Sequence, residues 1–385
     1  MKFFDVCVIG VGSMGSAACY HLAKSGASVL GLEQFSLAHS FGSQAGQSRL
    51  IRKAYFEHSD YVPLLERAYE NWQEIEEKSG TSLYFPTGIV YMGPHDHSMM
   101  QGIRYSADKY AIPLEQVDAA RVPGFQMPTG FDVLLEPDAG FVTPERAVLA
   151  FSEEAIRLGA VIHSNCRVEH MEKNGGVYLI QTPHGQFKAA KLVVTAGAWT
   201  RQLLPDLGTP LIVTEQWLAW MRPTDWEKYS LENFTCWGYM EPETDALLYG
   251  FPVLPAGEFG GPIGMKVALH KRGQSILPSE KSQAGYHVDN ANLLKRLIDR
   301  VMPGAVSDIL SMKSCLYNYS SDEHFIVDHH PADADMLVAT GFSGHGFKFA
   351  PVIGEVIADL TLKGATDLPV DFLKLDRFHK AGSVR

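Results

Sequence analysis

Gly10, Gly12 and Gly15 stand as G-x-G-x-x-G between the apolar run FDVCVIG (4–10) and GSAACYHLAKSGA (15–27), a stretch with helical apolar spacing that stops at a glycine. The first two glycines let a tight turn bring backbone N–H groups up to a pyrophosphate, and the third lets the helix pack on the strand. The start of that helix adds a partial positive charge facing the phosphates. Glu33 ends the next strand, SVLGLE (28–33), where a carboxylate can accept hydrogen bonds from an adenosine ribose. Strand, helix and strand fit within the ~30 residues of a dinucleotide-binding unit. The motif predicts a dinucleotide site without choosing between NAD and FAD.

A second chemical feature lies near the other end. MKSCLYNYSSDEHFIVD (312–328) places Cys315 two residues before Tyr317 and just ahead of an acidic turn. Taken alone, such a cysteine reads as a small hydrophobe. Two neighbouring signals favour FAD as the cofactor. KLVVTAGAW (191–199) is an apolar strand running into small residues, which suits a long cofactor lying across a sheet. GFSGHGFKFAP then brings Gly341, Gly344 and Gly346 together just before a helix, where backbone can approach a ring closely.

The elements that must position these residues alternate along the chain. β-like runs occur at 83–93, 191–197, 211–221, 246–254 and 264–270, and helices at 143–160, 290–302 and 350–363. Thr143 can cap the first of these, with Pro144 at its first position. The 385 residues suffice for about two domains. No Ser/Pro-rich linker separates halves, so the domains are expected to interleave: 1–82, 148–210 and 322–385 bind FAD, and 83–147 and 211–321 form the substrate domain. A net charge of -11 argues against a nucleic-acid partner. No apolar run approaches the ~18 residues of a membrane span. The N-terminus reads as a first strand rather than a secretion signal. Five scattered cysteines (7, 19, 166, 236 and 315), with no CxxC pair, suggest neither a disulfide framework nor a metal site and fit a reducing cytoplasm.

Taken together, these residues resemble the monomeric sarcosine oxidase family of flavoproteins, which includes N-methyltryptophan and pipecolate oxidases. The anchors run through nearly the whole chain in order: GVGSMG (10–15), GSQAGQSRLIRKAY (42–55), MKVALH (265–270), SCLYNYSSDEHFIVD (314–328) and GFSGHGFKFAPVIGE (341–355). The stretch HSFGSQAGQSRLIRKAYFE is closer to the pipecolate oxidase branch. The resemblance implies an α/β (α+β overall) fold of the D-amino-acid-oxidase and glutathione-reductase-like type, with a Rossmann-like FAD domain and a β-rich substrate domain. It also implies that Cys315 carries FAD covalently through a thioether. A thiolate nucleophile with its pKa lowered by nearby positive charge suits that role.

The same resemblance assigns the working side chains. Arg52 and Lys348 match a carboxylate-binding pair, Arg being able to grip in two places. A cation at the helix start, where Lys348 lies, is unfavourable for the helix dipole, which hints at an anionic partner. Arg49 matches a residue beside the flavin ring. Lys266 matches the lysine that promotes reaction with O2, where a preplaced cation favours forming superoxide. His270, His345, Tyr249 and Tyr317 match pocket positions; taken singly, each is more often a packed core residue. Ser13, Met14, Ser43, Val168, Gly197 and Phe347 complete the cofactor set with the glycines, Glu33, Arg49, Cys315 and Lys348.

Two departures stand out. Gln44 and Ala45 replace the paired histidines of bacterial sarcosine oxidases. The loop GFPVLPAGEFGGPIGMK (250–266) is longer than theirs and, lying between two pocket strands, is expected to alter the substrate. The function implied is oxidation of a secondary amino acid, sarcosine or another N-methyl amino acid, by O2 to an imine and H2O2, by a cytoplasmic monomer. An L-pipecolate or L-proline oxidase is the alternative within the family. A carrier-linked dehydrogenase and a non-catalytic flavin-binding subunit are the alternatives outside it.

Overall fold

The computed structural model describes residues 2–380. The first strand, Phe3–Ile9, alternates exposed and buried residues at its start and is fully buried from Val6 onward. It pairs in parallel with Val29–Leu32 on one side and Gly185–Val194 on the other. Val161–His163 extends the sheet parallel to Val29–Leu32, and Asp333–Thr340 joins in parallel to Gly185–Val194. Antiparallel strands His170–Asn174, Val177–Thr182 and Ile326–His330 complete eight strands. Fully buried runs such as Val29–Leu32 are what a sheet covered on both faces requires. Helix Ser13–Lys24 covers one face, packed against helices Pro144–Arg157 and Ala350–Lys363.

A second eight-stranded sheet runs in the order Val306–Tyr319, Ile212–Pro223, Met265–His270, Ala246–Gly250, Cys236–Glu241, Ile89–Pro94, Phe131–Glu136 and Glu115–Gln116. Its pairings are antiparallel except for Cys236–Glu241 with Ile89–Pro94. A short three-stranded sheet, Arg49–Ile51, Gly140–Val142 and Tyr84–Phe85, joins segments from both parts of the sequence. The architecture is therefore mixed α/β, with a Rossmann-like sheet whose central strands are parallel and a second, mainly antiparallel sheet of the same strand number, as the sequence implied.

Several details differ from the sequence expectation. Helices Val62–Ser79 and Ser98–Tyr110 had no counterpart in it. Residues 83–93 form two strands, Tyr84–Phe85 and Ile89–Pro94. The proposed 147/148 domain boundary falls inside helix Pro144–Arg157, whose whole length packs as one element. Thr143 makes no capping bond; its hydroxyl donates to the Leu83 carbonyl instead, at 3.4 Å.

Candidate active site

One cavity of about 510 Å³ takes in the glycine loop and the second sheet together, within the size range of small-molecule sites. Gly10 has φ +92°, a conformation open chiefly to glycine, and a Cβ on Gly15 would lie 1.8 Å from the Gly10 carbonyl oxygen. Gly12 faces open space, its nearest neighbour being the Gln44 side chain 3.6 Å from a built Cβ. The helix that follows has no side-chain cap and no acidic residue in its first turn, so its N–H groups are free for an anion. Glu33 is buried; it accepts from Val11 N at 2.9 Å and Phe35 N at 3.0 Å. A carboxylate has about four acceptor sites, so capacity remains for a ribose. Glycine loop, uncapped helix, acidic strand end and elongated hollow together fit a bound FAD.

Of the residues singled out from sequence, Gly10, Gly12, Ser13, Met14, Glu33, Ser43, Arg49, Arg52, Val168, Gly197, Tyr249, His270, Tyr317, Gly344, His345, Gly346, Phe347 and Lys348 line this one cavity. Gly15 lies beneath the loop. Lys266 and Cys315 are buried just behind the lining.

Arg52 and Lys348, expected as a carboxylate-binding pair, are brought together by distant segments. Lys348 Nζ donates to the His345 carbonyl at 2.8 Å, and the Lys348 carbonyl is held by Trp72 Nε1 at 2.9 Å from helix Val62–Ser79. Burial, with Arg52 nearby, lowers the Lys348 pKa to about 7. Arg52 makes a two-pronged pair with Glu57, both contacts 2.7 Å, and its guanidinium lies 4.3 Å from the Tyr55 ring centroid. The buried Glu136 fixes this turn by accepting from Lys53 N at 2.6 Å and from the Tyr91 hydroxyl at 2.8 Å. Burial works to raise the Glu57 pKa, but Arg52, His345 and Lys348 hold it near 2. Glu57 and Glu136 have no local sequence signal; their importance comes only from contacts made after folding.

His345 is tied at both nitrogens. Nε2 faces the Glu323 carbonyl at 3.1 Å, so it donates, and Nδ1 accepts from the Tyr55 hydroxyl. Burial lowers its pKa to about 3, keeping the ring neutral. The opposite wall comes from adjacent strands. Leu247 and His270 are register partners, and Leu247 and Tyr249 face the cavity while Leu248 between them packs into a separate core. His270 stacks obliquely on Tyr317 with ring centroids 5.7 Å apart. Gly344 makes room for Tyr317: a Cβ there would sit 2.2 Å from its ring.

The loop Ser43–Ser48 forms the remaining side. Arg49 donates to the carbonyls of Ser43 and Ser48 at 3.0 Å each and to that of Ala45. Lys266 Nζ donates to Gly46 O at 2.6 Å, to Ser48 O and to Ser48 Oγ at 3.2 Å. Burial, then Arg49, lower its pKa well below the usual value. Cys315 is a free, fully buried thiol packed with Tyr317 and Tyr319, opposite Gln216 in the sheet. Burial raises its pKa, and Arg49 and Lys266 oppose the rise. The long loop does not reach the cavity. Gly260 O accepts from Gln47 Nε2 at 2.6 Å, and Phe259 packs on Phe85 and Phe141, so this insertion braces the Ser43–Ser48 loop from behind.

The fold and site define a flavoprotein oxidoreductase, and residues 5–360 match the family described as FAD dependent oxidoreductase (DAO). The chain belongs to the monomeric sarcosine oxidase family within it, FAD-dependent oxidases acting on CH–NH donors. It is 37% identical over 373 residues to the monomeric sarcosine oxidase of Streptomyces avermitilis, covering 95% of this chain and 96% of that one. It is 31% identical over 380 residues to the N-methyl-L-tryptophan oxidase of Yersinia pestis, covering 97% and 99%. Among solved structures, the fold is similar to NikD, an amino acid oxidase of nikkomycin biosynthesis (TM-score 0.83, 22% identity, 97% and 98% covered). It is also similar to L-proline dehydrogenase from P. horikoshii (TM-score 0.82, 21% identity, 100% of each chain). No described helix is long and apolar enough to cross a membrane.

Proposed function

We propose that the protein, acting as a monomer, oxidises the C–N bond of a secondary amino acid, sarcosine or another N-methyl amino acid, with dioxygen as acceptor. The products are an imine, which hydrolyses, and hydrogen peroxide. The observation that carries this reading is the convergence of Arg52, Lys348 and the neutral His345 on the cavity that also contains the glycine loop. Bound FAD would supply the redox chemistry, taking a hydride equivalent from the carbon next to nitrogen and passing the electrons to oxygen.

The chain's own residues do the rest. Arg52 and Lys348 grip the substrate carboxylate, which fixes the reacting carbon in place. Arg52 must exchange Glu57 for that carboxylate. His345 stays neutral and leaves the cationic wall to those two residues. Tyr249, Tyr317 and Leu247 shape the amine pocket with ring faces and one aliphatic surface. Arg49 places a fixed positive charge at the lining, where it favours an anionic partner. Lys266 supplies the cation for the oxygen step. Cys315 Sγ holds FAD as a thioether, with Arg49 and Lys266 favouring its thiolate.

A peroxide-coupled screen across sarcosine, N-methyltryptophan, pipecolate and proline tests the reading. Peroxide from an N-methyl amino acid supports it, peroxide from pipecolate or proline alone moves the substrate to cyclic amino acids, and none at all from fully flavinylated protein overturns it. Acid denaturation should leave the yellow colour on the polypeptide; free flavin in the supernatant removes the thioether.

A further inference from the structure

Glu145, the second residue of helix Pro144–Arg157, lies outside the cavity lining and took no part in the sequence argument. Its carboxylate accepts from Gly46 N at 2.7 Å and from Gln47 N at 3.1 and 3.2 Å. The peptide unit between Gly46 and Gln47 therefore has its N–H on Glu145 and its C=O on Lys266, 2.6 Å from Nζ. In a trans peptide these two groups point in opposite directions. One polarised amide thus sits in line between a buried ammonium and a carboxylate, each strengthening the other's bond. The backbone is bent to make this possible: Gly46 has φ +130° and Gln47 φ +67°. The Gln47 side chain is pinned as well, accepting from Trp220 Nε1 at 2.8 Å and donating to Gly260 O.

We propose that Glu145 is a positioning residue for Lys266, holding the lysine's charge and placement through the Gly46–Gln47 peptide. This rests on the reading of Lys266 as the oxygen-step cation. Lys266 faces Arg49, Cys315 and Cys236 besides Glu145, and its aromatic neighbours are Trp220 and Phe251. Of these, Glu145 favours the ammonium and Arg49 opposes it; burial keeps the Cys236 thiol neutral, and a thioether at Cys315 carries no charge. Glu145 favours the charged lysine while also bonded to the loop that Lys266 grips. Removing its charge leaves burial and Arg49 less opposed, and the lysine then loses its proton at lower pH.

The test uses the FAD-loaded Glu145→Gln variant, which keeps an acceptor for the loop amides and removes the charge. The visible absorbance of the bound oxidised flavin against pH, and the pH profile of reoxidation by O2, should both move to lower pH by about half a unit or more. The rate of flavin reduction by substrate should hold. Placed on a Lys266→Met background, Glu145→Gln should have no further effect on reoxidation. Unchanged midpoints, while Lys266→Met alone slows reoxidation, overturn this inference and leave the lysine's role standing. If Lys266→Met leaves reoxidation unchanged, both fall. Should the Gln variant not accumulate as holoenzyme, Glu145→Asp, which withdraws the same charge by one methylene, should give a smaller shift in the same direction, and no shift overturns the proposal.

Discussion

Two cationic regions border the cavity, and they are satisfied in different ways. On the loop side, Arg49 and Lys266 are held by the 43–48 loop itself: three carbonyls for the arginine, and two carbonyls and a hydroxyl for the lysine. On the carboxylate side, Arg52 holds a side-chain carboxylate, Glu57, beside one carbonyl, that of Ala54, and Lys348 has one carbonyl partner. A cation gripped by several loop acceptors is a fixed part of the scaffold, whereas Lys348, with a single carbonyl, keeps donors for a ligand. A cation bonded to a side-chain carboxylate can exchange that partner for another carboxylate of the same charge. On the proposed reading, the difference separates the part of the site that holds a permanent electrostatic setting from the part that binds and releases substrate.

The strongest way to break this comparison is Arg52→Met. It removes the two-pronged grip and leaves Glu57 buried without its partner, repelling an incoming carboxylate. kcat/KM should fall roughly a thousandfold, about 4 kcal/mol, mostly in KM; a loss under tenfold would mean that Arg52 is structural. Lys266→Met comes next. Stopped-flow reoxidation should slow roughly a hundredfold while reduction by substrate keeps its rate, and equal loss in both half-reactions would erase the distinction between the two regions.

The Lys348 ammonium gives a pH test. Its pKa of about 7 rises when a carboxylate binds beside it. Affinity for propionate, a carboxylate with no amine of its own, should therefore hold below neutrality and fall about fivefold from pH 7 to 8. Lys348→Arg, always charged, should flatten that slope. The same group affects ligand-free stability with a definite sign. The unfolded lysine keeps its proton up to its ordinary pKa of 10.5 while the folded one loses it from about 7. The lysine's destabilising effect is full below pH 7 and is relieved as pH rises toward 10.5. The smallest expected effect sharpens the exchange idea: Glu57→Gln frees Arg52 of its internal competitor, and calorimetry should show propionate binding about fivefold tighter, roughly 1 kcal/mol.

The glycine loop, Glu33, the pocket aromatics and the placement of Arg52 and Lys348 in the cavity were legible in the sequence because each sits in a local pattern or in a motif of the family. Glu57, Glu136 and Glu145 were not. Glu136 and Glu145 gain their meaning from backbone N–H groups 82 to 99 residues away, a relation that no local spacing carries. Glu57 is close in sequence to Arg52, yet an acidic residue five positions away in a loop looks like any solvated charge. The loop at 250–266 misled for a related reason. Its flanking strands do line the pocket side, but the chain turns away after Phe251, and its tip lands on Gln47. Length signalled an insertion; direction was set by packing against Phe85 and Phe141.

The alternation of Leu247, Leu248 and Tyr249 has a practical corollary. Side chains proposed to meet the amine substituent sit on two neighbouring strands, while the groups proposed to hold the acid end come from the 52–57 turn and the 345–348 turn. Trimming Leu247 or Tyr249 should therefore admit bulkier N-alkyl groups without disturbing the acid clamp, so that selectivity at one end of the substrate can be redesigned, or can drift during divergence, independently of the other.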